Sequence, residues 1–318
     1  MDYFLNIVGQ ENAVRLLKKA IELQNVSHAY IFLGPAGTGK MLCALAFAYT
    51  LIHQEDEKAP LYFREKAHPD ILIIEKAENR SMISKDQIKQ MESWFSLKPY
   101  RSKHRIVIIR DCHLMTLEAA NAVLKILEEP PEYGIIILIS ERNSLLETIL
   151  SRCQLVRFSA VPDSVIEKFL VDRGIDHAEA CRVSRLGQGS ISNALRFASE
   201  ENFQEIWESA FKIVEDLLGD EVIEVFNAAE KMEKAPLLLG SMLETILRDI
   251  CVYKETGDEK LADIPENIKL AGLVKGTSTN RIREAVTKIN LLKTYYDRNI
   301  NSLLISINIS YEIWSALK

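Results

Sequence analysis

Gly34-Pro35-Ala36-Gly37-Thr38-Gly39-Lys40-Met41 is the stretch of this chain whose residue types and spacing most plainly invite chemistry. A G-x-x-x-x-G-K loop aims successive backbone N–H groups and a helix N-terminus at phosphate oxygens, and the lysine adds a positive charge. The short pattern is a weak signal by itself. It gains weight from its position, with the apolar run Ala29-Tyr30-Ile31-Phe32-Leu33 before it and an apolar helical stretch after it. Gly34, Gly37, Gly39 and Lys40 are therefore the candidate phosphate-binding residues.

Two positions disagree with a working nucleotide site. The residue after the lysine should be Ser or Thr, whose hydroxyl ligates Mg²⁺; here it is Met41. A thioether is a soft ligand and a poor partner for a hard cation that prefers oxygen. A second metal-coordinating carboxylate is expected at the end of a later strand, usually as Asp-Glu. The run Ile106-Val107-Ile108-Ile109 ends instead in Arg110-Asp111, followed by Cys112. With Arg110 in the metal-ligand position a guanidinium repels the ion; with Asp111 there, Cys112 takes the catalytic slot. Either register lacks one carboxylate. Two readings stay open for the loop: a fold element with no nucleotide, or residual nucleotide binding.

The elements that must position these residues are legible in the first half of the chain. Four apolar, β-branched runs, at 29–33, 71–74, 106–109 and 135–139, suit parallel strands buried on both faces. Helical patterns at 84–97 and 116–128 lie between them, which implies a doubly wound α/β sheet. After about residue 162 the strand runs stop. Residues 163–200 read as short helices broken at Gly174 and at Gly187-Gln188-Gly189, and the chain is helical from 203 onward, with later helices over 236–255, 278–298 and 301–317. Three modules are expected: an α/β domain at 1–162, a small helical domain at 163–203 and an all-α bundle at 204–318. In the bundle, Trp207, Tyr311 and Trp314 can be read equally as core or as interface.

Composition bounds the possibilities. With 47% apolar and 26% charged residues, the 318-residue chain reads as an ordinary globular protein. No apolar run approaches the roughly 18 residues that span a bilayer, and the N-terminal residues do not form a signal peptide. A cytoplasmic location and no membrane partner are the expectation. The five cysteines are scattered without a C-x-x-C pair, so they read as buried thiols rather than disulfides or a zinc site. Net charge is −6, with residues 1–160 near neutral, so the chain is no polycation that grips DNA alone. One local basic cluster, Lys98, Arg101, Lys103, His104 and Arg105, could supply phosphate contacts; a solvated loop is the plainer reading.

Longer motifs carry a resemblance. Ile7-Val8-Gly9-Gln10, His28-Ala29-Tyr30-Ile31-Phe32 and the phosphate loop resemble clamp-loader subunits of the AAA+ class. Ala119-Ala120-Asn121-Ala122-Val123-Leu124-Lys125-Ile126-Leu127-Glu128-Glu129-Pro130-Pro131 is similar to that family's AANALLKTLEEPP stretch, and Ser151-Arg152-Cys153 to its Ser-Arg-Cys motif. Asn299, Asn301 and Leu304 resemble an N-x-N-x-x-L near the C-terminus of the delta-prime branch. The likeness spans nearly the whole chain and is strongest over 5–160.

The resemblance implies an AAA+ phosphate-loop domain, a helical lid and a helical collar, in a ring that loads the sliding clamp of DNA polymerase III onto primed DNA. Its partners would be gamma/tau ATPase and delta subunits, the clamp, and DNA through the assembly. The family divides into active gamma/tau ATPases and the delta-prime stator. Met41, Arg110 and Ser192, the last standing where the family's lid arginine would be in Gly189-Ser190-Ile191-Ser192-Asn193-Ala194-Leu195, fall on the delta-prime side. Arg152 would then be an arginine finger offered to a neighbour's ATP, with Ser151 and Cys153 shaping and packing its turn. No cofactor is required on this reading. The family commonly carries four zinc-binding cysteines after the phosphate-loop helix; residues 53–70 contain none, only His53 and His68, so no zinc is expected. An active gamma/tau-like ATPase, and an adaptor or scaffold using the same fold outside replication, are the alternatives.

Overall fold

The computed structural model describes residues 2–65, 67–77, 80–262, 264, 267–272, 277–296 and 300–318, without the side chains of Arg64 and Lys260. Contacts divide the chain into two compact units, Met1–Phe169 with Gln188–Ser192, and Leu170–Gly187 with Asn193–Lys318.

In the first unit the chain runs α1 (Glu11–Glu22), β1 (Ala29–Leu33), α2 (Lys40–His53), α3 (Ala59–Glu65), β2 (Ile71–Ile74), α4 (Lys85–Phe95), β3 (Arg105–Ile109), α5 (Leu117–Glu128), β4 (Gly134–Ser140), α6 (Glu147–Leu150) and β5 (Gln154–Arg157). All five strands pair in parallel, in the order β2-β3-β4-β1-β5. Alternate side chains feed two separate cores, as the two-residue period of a strand requires. Tyr30, Phe32, Ile106, Ile108, Ile135 and Ile137 pack with α1 and α2 on one face. Ile31, Val107, Ile109, Ile136 and Leu138 pack with α4 and α5 on the other. This is the doubly wound sheet the apolar runs imply.

β5 is the strand those runs did not reveal. It lies at the sheet edge beside β1, and only Val156 of its four residues is buried. An edge strand covered on one side alternates instead of running apolar.

The N-terminal motif has a packing reason. Gly9 takes φ +70°, and a Cβ there would lie 2.6 Å from Val161 Cγ1. Buried Gln10 then clasps the chain beyond β5, donating to Ser159 O at 2.8 Å and accepting from Ser159 N at 3.2 Å.

Beyond β5 come α7 (Asp163–Val171), α8 (His177–Leu186) and α9 (Ile191–Ala198). Their breaks fall at Gly174, Gln188 and Gly189, all at positive φ. The second unit continues with α10 (Phe203–Leu217), α11 (Ile223–Met232), α12 (Pro236–Thr256), α13 (Ile268–Ala271), α14 (Thr279–Lys293) and α15 (Ser302–Leu317). α12 is its spine, opened by a proline and closed by left-handed Gly257. The helix expected over 278–298 ends at Lys293, where a turn begins, and residues 297–298 lie outside the described residues. Trp207 is core, stacked on Phe203, whereas Tyr311 is half exposed. Trp314 donates its indole N–H to Gly219 O at 3.2 Å.

Candidate functional site

The phosphate loop joins β1 to α2 as expected, and Gly37 and Gly39 take φ +68° and +90°, a region that favours glycine. Gly34 is needed for a different reason, since a Cβ there would sit 2.2 Å from Phe158 O. Inside the loop the donors are turned onto its own carbonyls. Lys40 is buried, and its ammonium donates to Gly34 O at 2.7 Å and Pro35 O at 2.5 Å. Thr38, also buried, donates its hydroxyl to Pro35 O at 2.9 Å. Burial lowers the Lys40 pKa, and the charges of Glu141 and Asp111 oppose that shift. Met41 packs its thioether against the apolar core beside α2.

The two residues after β3 pair with each other. Arg110 is half exposed, 3.4 Å from Glu75 and 3.6 Å from Asp111. Asp111, held at φ +52°, is the one whose charge reaches Lys40. Glu141, directly after β4, is a second carboxylate acting on Lys40, and sequence reasoning passed it over. Its signal was available: the carboxyl ends of parallel strands are where α/β sheets bind ligands. His113, close to both carboxylates, went unremarked for the same reason. This set does not fit Mg²⁺ at the loop in the usual way, because position 41 offers sulfur and position 110 a guanidinium.

Ser192, at the position of the family's lid arginine, donates its backbone N–H to Gly37 O at 3.2 Å. Ser190 lies against the same glycine.

Arg152 is placed in the turn between α6 and β5, away from the loop's own hydrogen bonds. Its guanidinium pairs with Glu128 at 2.9 Å and donates to Thr148 O at 3.0 Å, with its side chain 36% exposed. Ser151 donates its hydroxyl to the same Thr148 carbonyl at 3.1 Å. Cys153 packs against the core beside α5, and burial pushes its thiol up to about 12. Glu128 belongs to the long family-like stretch, so the two most specific motifs meet at this ion pair.

Three residues of the basic cluster, Arg101, Lys103 and Arg105, have internal partners. Arg101 binds Asp56 through Nε at 2.6 Å and Nη2 at 3.0 Å. Lys103 pairs with Glu55 at 2.5 Å. Arg105 is buried, bonded to Trp94 O and 4.3 Å from the Trp94 ring. Fully buried Asp70 accepts from the backbone N–H of Tyr100, Arg101 and Ser102 at 2.7, 2.7 and 3.1 Å. His68 lies in the same network, its Nε2 3.2 Å from Asp56 and its Nδ1 accepting from Asp70 N at 3.0 Å. His53 meets the Tyr3 hydroxyl at 2.8 Å. Both histidines of the segment 53–70 thus have hydrogen-bond partners within the chain. Asn301 caps α15, accepting from the N–H of Leu303 and Leu304; Asn299 lies outside the described residues.

A pH dependence follows from the histidines. Burial is the main cause holding His68, His104 and His113 below the ordinary imidazole range. The unfolded chain takes up these protons near pH 6.5, before the folded chain does. Stability is therefore complete above that pH and falls as pH drops through the window beneath it. Nearly fully buried His68 alone contributes up to ~1.4 kcal/mol per pH unit in that window. The melting temperature is expected to fall steadily between about pH 7 and 5.5; a flat profile would contradict the burial of these rings.

Comparisons with known proteins meet this geometry. A family model described as "DNA polymerase III, delta subunit" matches residues 9–162, from the N-terminal motif past the Ser-Arg-Cys turn. The chain is 28% identical over 296 residues to DNA polymerase III subunit delta' of Bacillus subtilis, covering 86% of this chain and 88% of that protein. The chain is thus similar to clamp-loader subunits of DNA polymerase III. It is also 29% identical over 280 residues to subunit tau of Bacillus subtilis, covering 83% of this chain but 45% of that protein. Identity alone therefore does not separate the two branches. Among solved structures, the chain is similar to a gamma-subunit-related protein of Thermotoga maritima, with 21% identity, 98% of this chain and 100% of that one covered, and a TM-score of 0.46. It is also similar to the Thermotoga maritima RuvB branch-migration motor, with 14% identity, 83% and 88% covered, and a TM-score of 0.45. Among the described residues no helix is long and apolar enough to cross a membrane.

Proposed function

We propose that this chain is the delta-prime-type subunit of a clamp loader. It is a stator that hydrolyses no ATP itself and offers Arg152 to the ATP site of a neighbouring gamma/tau-type subunit. The observation that carries the reading is the state of the phosphate loop. Met41, partly buried against the core, stands where a Mg²⁺-ligating hydroxyl should be, and Lys40 is bonded to Gly34 O and Pro35 O. A loop that satisfies its own lysine and lacks the metal's oxygen ligand has no evident route to the charge neutralisation phosphoryl transfer needs. No nucleotide and no zinc are required for the chain to work.

Arg152 supports the other half. A finger for a neighbour must be presented outward on a rigid turn; Glu128, Thr148 and the packed Cys153 hold it there. In the assembly the chain would sit with gamma/tau and delta subunits, engage the sliding clamp and meet primed DNA, working in the cytoplasm. With Arg101, Lys103 and Arg105 engaged internally, direct DNA contact through that cluster is not part of this reading.

One observation favours the competing reading of an active ATPase: identity to tau matches identity to delta'. Calorimetric titration of the purified chain with ATP and Mg²⁺, with phosphate release followed in the same samples, separates the two. No heat and no phosphate are expected. Mg²⁺-dependent binding with turnover would make this an active ATPase subunit and overturn the stator assignment.

A further inference from the structure

We propose that the phosphate loop serves as the seat of an internal latch, holding the strap Gln188–Ser192 closed without any ligand. The strap lies between α8 and α9 in sequence, yet it belongs to the first unit. Two backbone hydrogen bonds help to fasten it. Gly189 O accepts from Val161 N at 3.0 Å, and Ser192 N donates to Gly37 O at 3.2 Å. Its shape is fitted to both. Gln188 and Gly189 turn the chain at φ +48° and +77°, and a Cβ on Gly189 would meet Ala160 Cβ at 2.6 Å. At the other end, a Cβ on Gly37 would fall 1.9 Å from Ser190 Oγ and 3.1 Å from Ser192 Cβ, so the strap rests directly on the loop's middle glycine. Ser190 is buried there.

The loop's own hydrogen bonds suit it to this work. Lys40 and Thr38 tie Gly34 O and Pro35 O from within, which leaves the Gly37 carbonyl to receive the strap. A phosphate drawn into the loop would compete for the Lys40 ammonium, release Gly34 O and Pro35 O, and so loosen the loop on which the strap rests. Nucleotide would thus loosen the strap, the reverse of a lid that closes on its ligand. The inference deepens the stator reading, and rests on it only for the expected silence of ATP.

The two glycines of the loop supply the test. Gly37 and Gly39 both have positive φ, so alanine strains the backbone at either. Only at Gly37 does the added carbon strike the strap; at Gly39 it meets nothing within 4 Å. Hydrogen exchange on the full chain reads the amides of Ser192 and Val161. Both are expected to be protected without ligand and unchanged by ATP with Mg²⁺. Gly37→Ala should raise exchange at both amides together by about tenfold or more, and Gly39→Ala by no more than about twofold. Ser190→Gly added to Gly37→Ala removes the hard clash at 1.9 Å, leaving only Ser192 Cβ at 3.1 Å, and should return exchange most of the way to the Gly39→Ala level. Equal opening by the two alanines, or no protection in the unmodified chain, would overturn the latch. If calorimetry shows ATP binding while these amides exchange faster, the latch stands and the reading of an idle loop fails. If ATP binds and protects them, both fail.

Discussion

Asp70→Ala is expected to remove roughly 3–5 kcal/mol of stability, the range seen when one partner of a buried charged network is deleted. Asp70 has no exposed surface and takes the backbone N–H groups of Tyr100, Arg101 and Ser102. Alanine leaves several buried donors unsatisfied at once, each costing about 1–3 kcal/mol when no water reaches it. The loop that loses its anchor presents Arg101 to Asp56 and Arg105 to Trp94, so those contacts should weaken with it. Asp70→Asn should recover little, because its NH₂ would confront N–H donors. Lys103→Ala is the contrast. Its pair with Glu55 is 73% exposed on the lysine side and should be worth no more than about 1 kcal/mol. Urea unfolding of the three variants measures the difference; equal losses for Asp70→Ala and Lys103→Ala would refute the anchoring role.

This network also marks where sequence reading stopped. Lys98, Arg101, Lys103, His104 and Arg105 stand together in the chain and look like a patch for phosphates. Their counter-charges, Glu55, Asp56 and Asp70, lie more than thirty residues earlier and meet them only because β2 and β3 are neighbours in the sheet. Local spacing carries no record of that pairing. β1 to β4 were legible because strands buried on both faces must be apolar throughout, and β5 was not, because an edge strand is free to alternate. The glycines of the loop announced themselves, while the charge of Asp111 and Glu141 acting on Lys40, and the pairing of Arg110 with Glu75 and Asp111, depend on how strand ends are brought together. Ser192 could be seen as a missing cation; its backbone bond to Gly37 could not.

The largest effect on activity is expected at Arg152. On the proposed reading, Arg152→Ala in this chain, assembled with gamma/tau-type ATPase subunits, should lower ATP turnover at the one site it completes by on the order of 10³-fold or more, the usual worth of an arginine finger. Its guanidinium is planar and always charged, so it can spread over two equatorial oxygens of a transferring phosphoryl group. Arg152→Lys should not rescue it, since a single ammonium lacks that fork. Glu128→Gln tests the resting contact. The 2.9 Å pair is half exposed, and an exposed pair contributes about 0–1 kcal/mol, so releasing it should alter turnover by only a few-fold. The same reasoning separates function from structure: Arg152→Ala should leave the melting temperature of the isolated chain nearly unchanged. Single-turnover hydrolysis by the assembled complex is the measurement. A complex with normal turnover at every site despite Arg152→Ala would remove Arg152 from catalysis. A large drop accompanied by loss of assembly would instead assign this exposed turn to subunit binding.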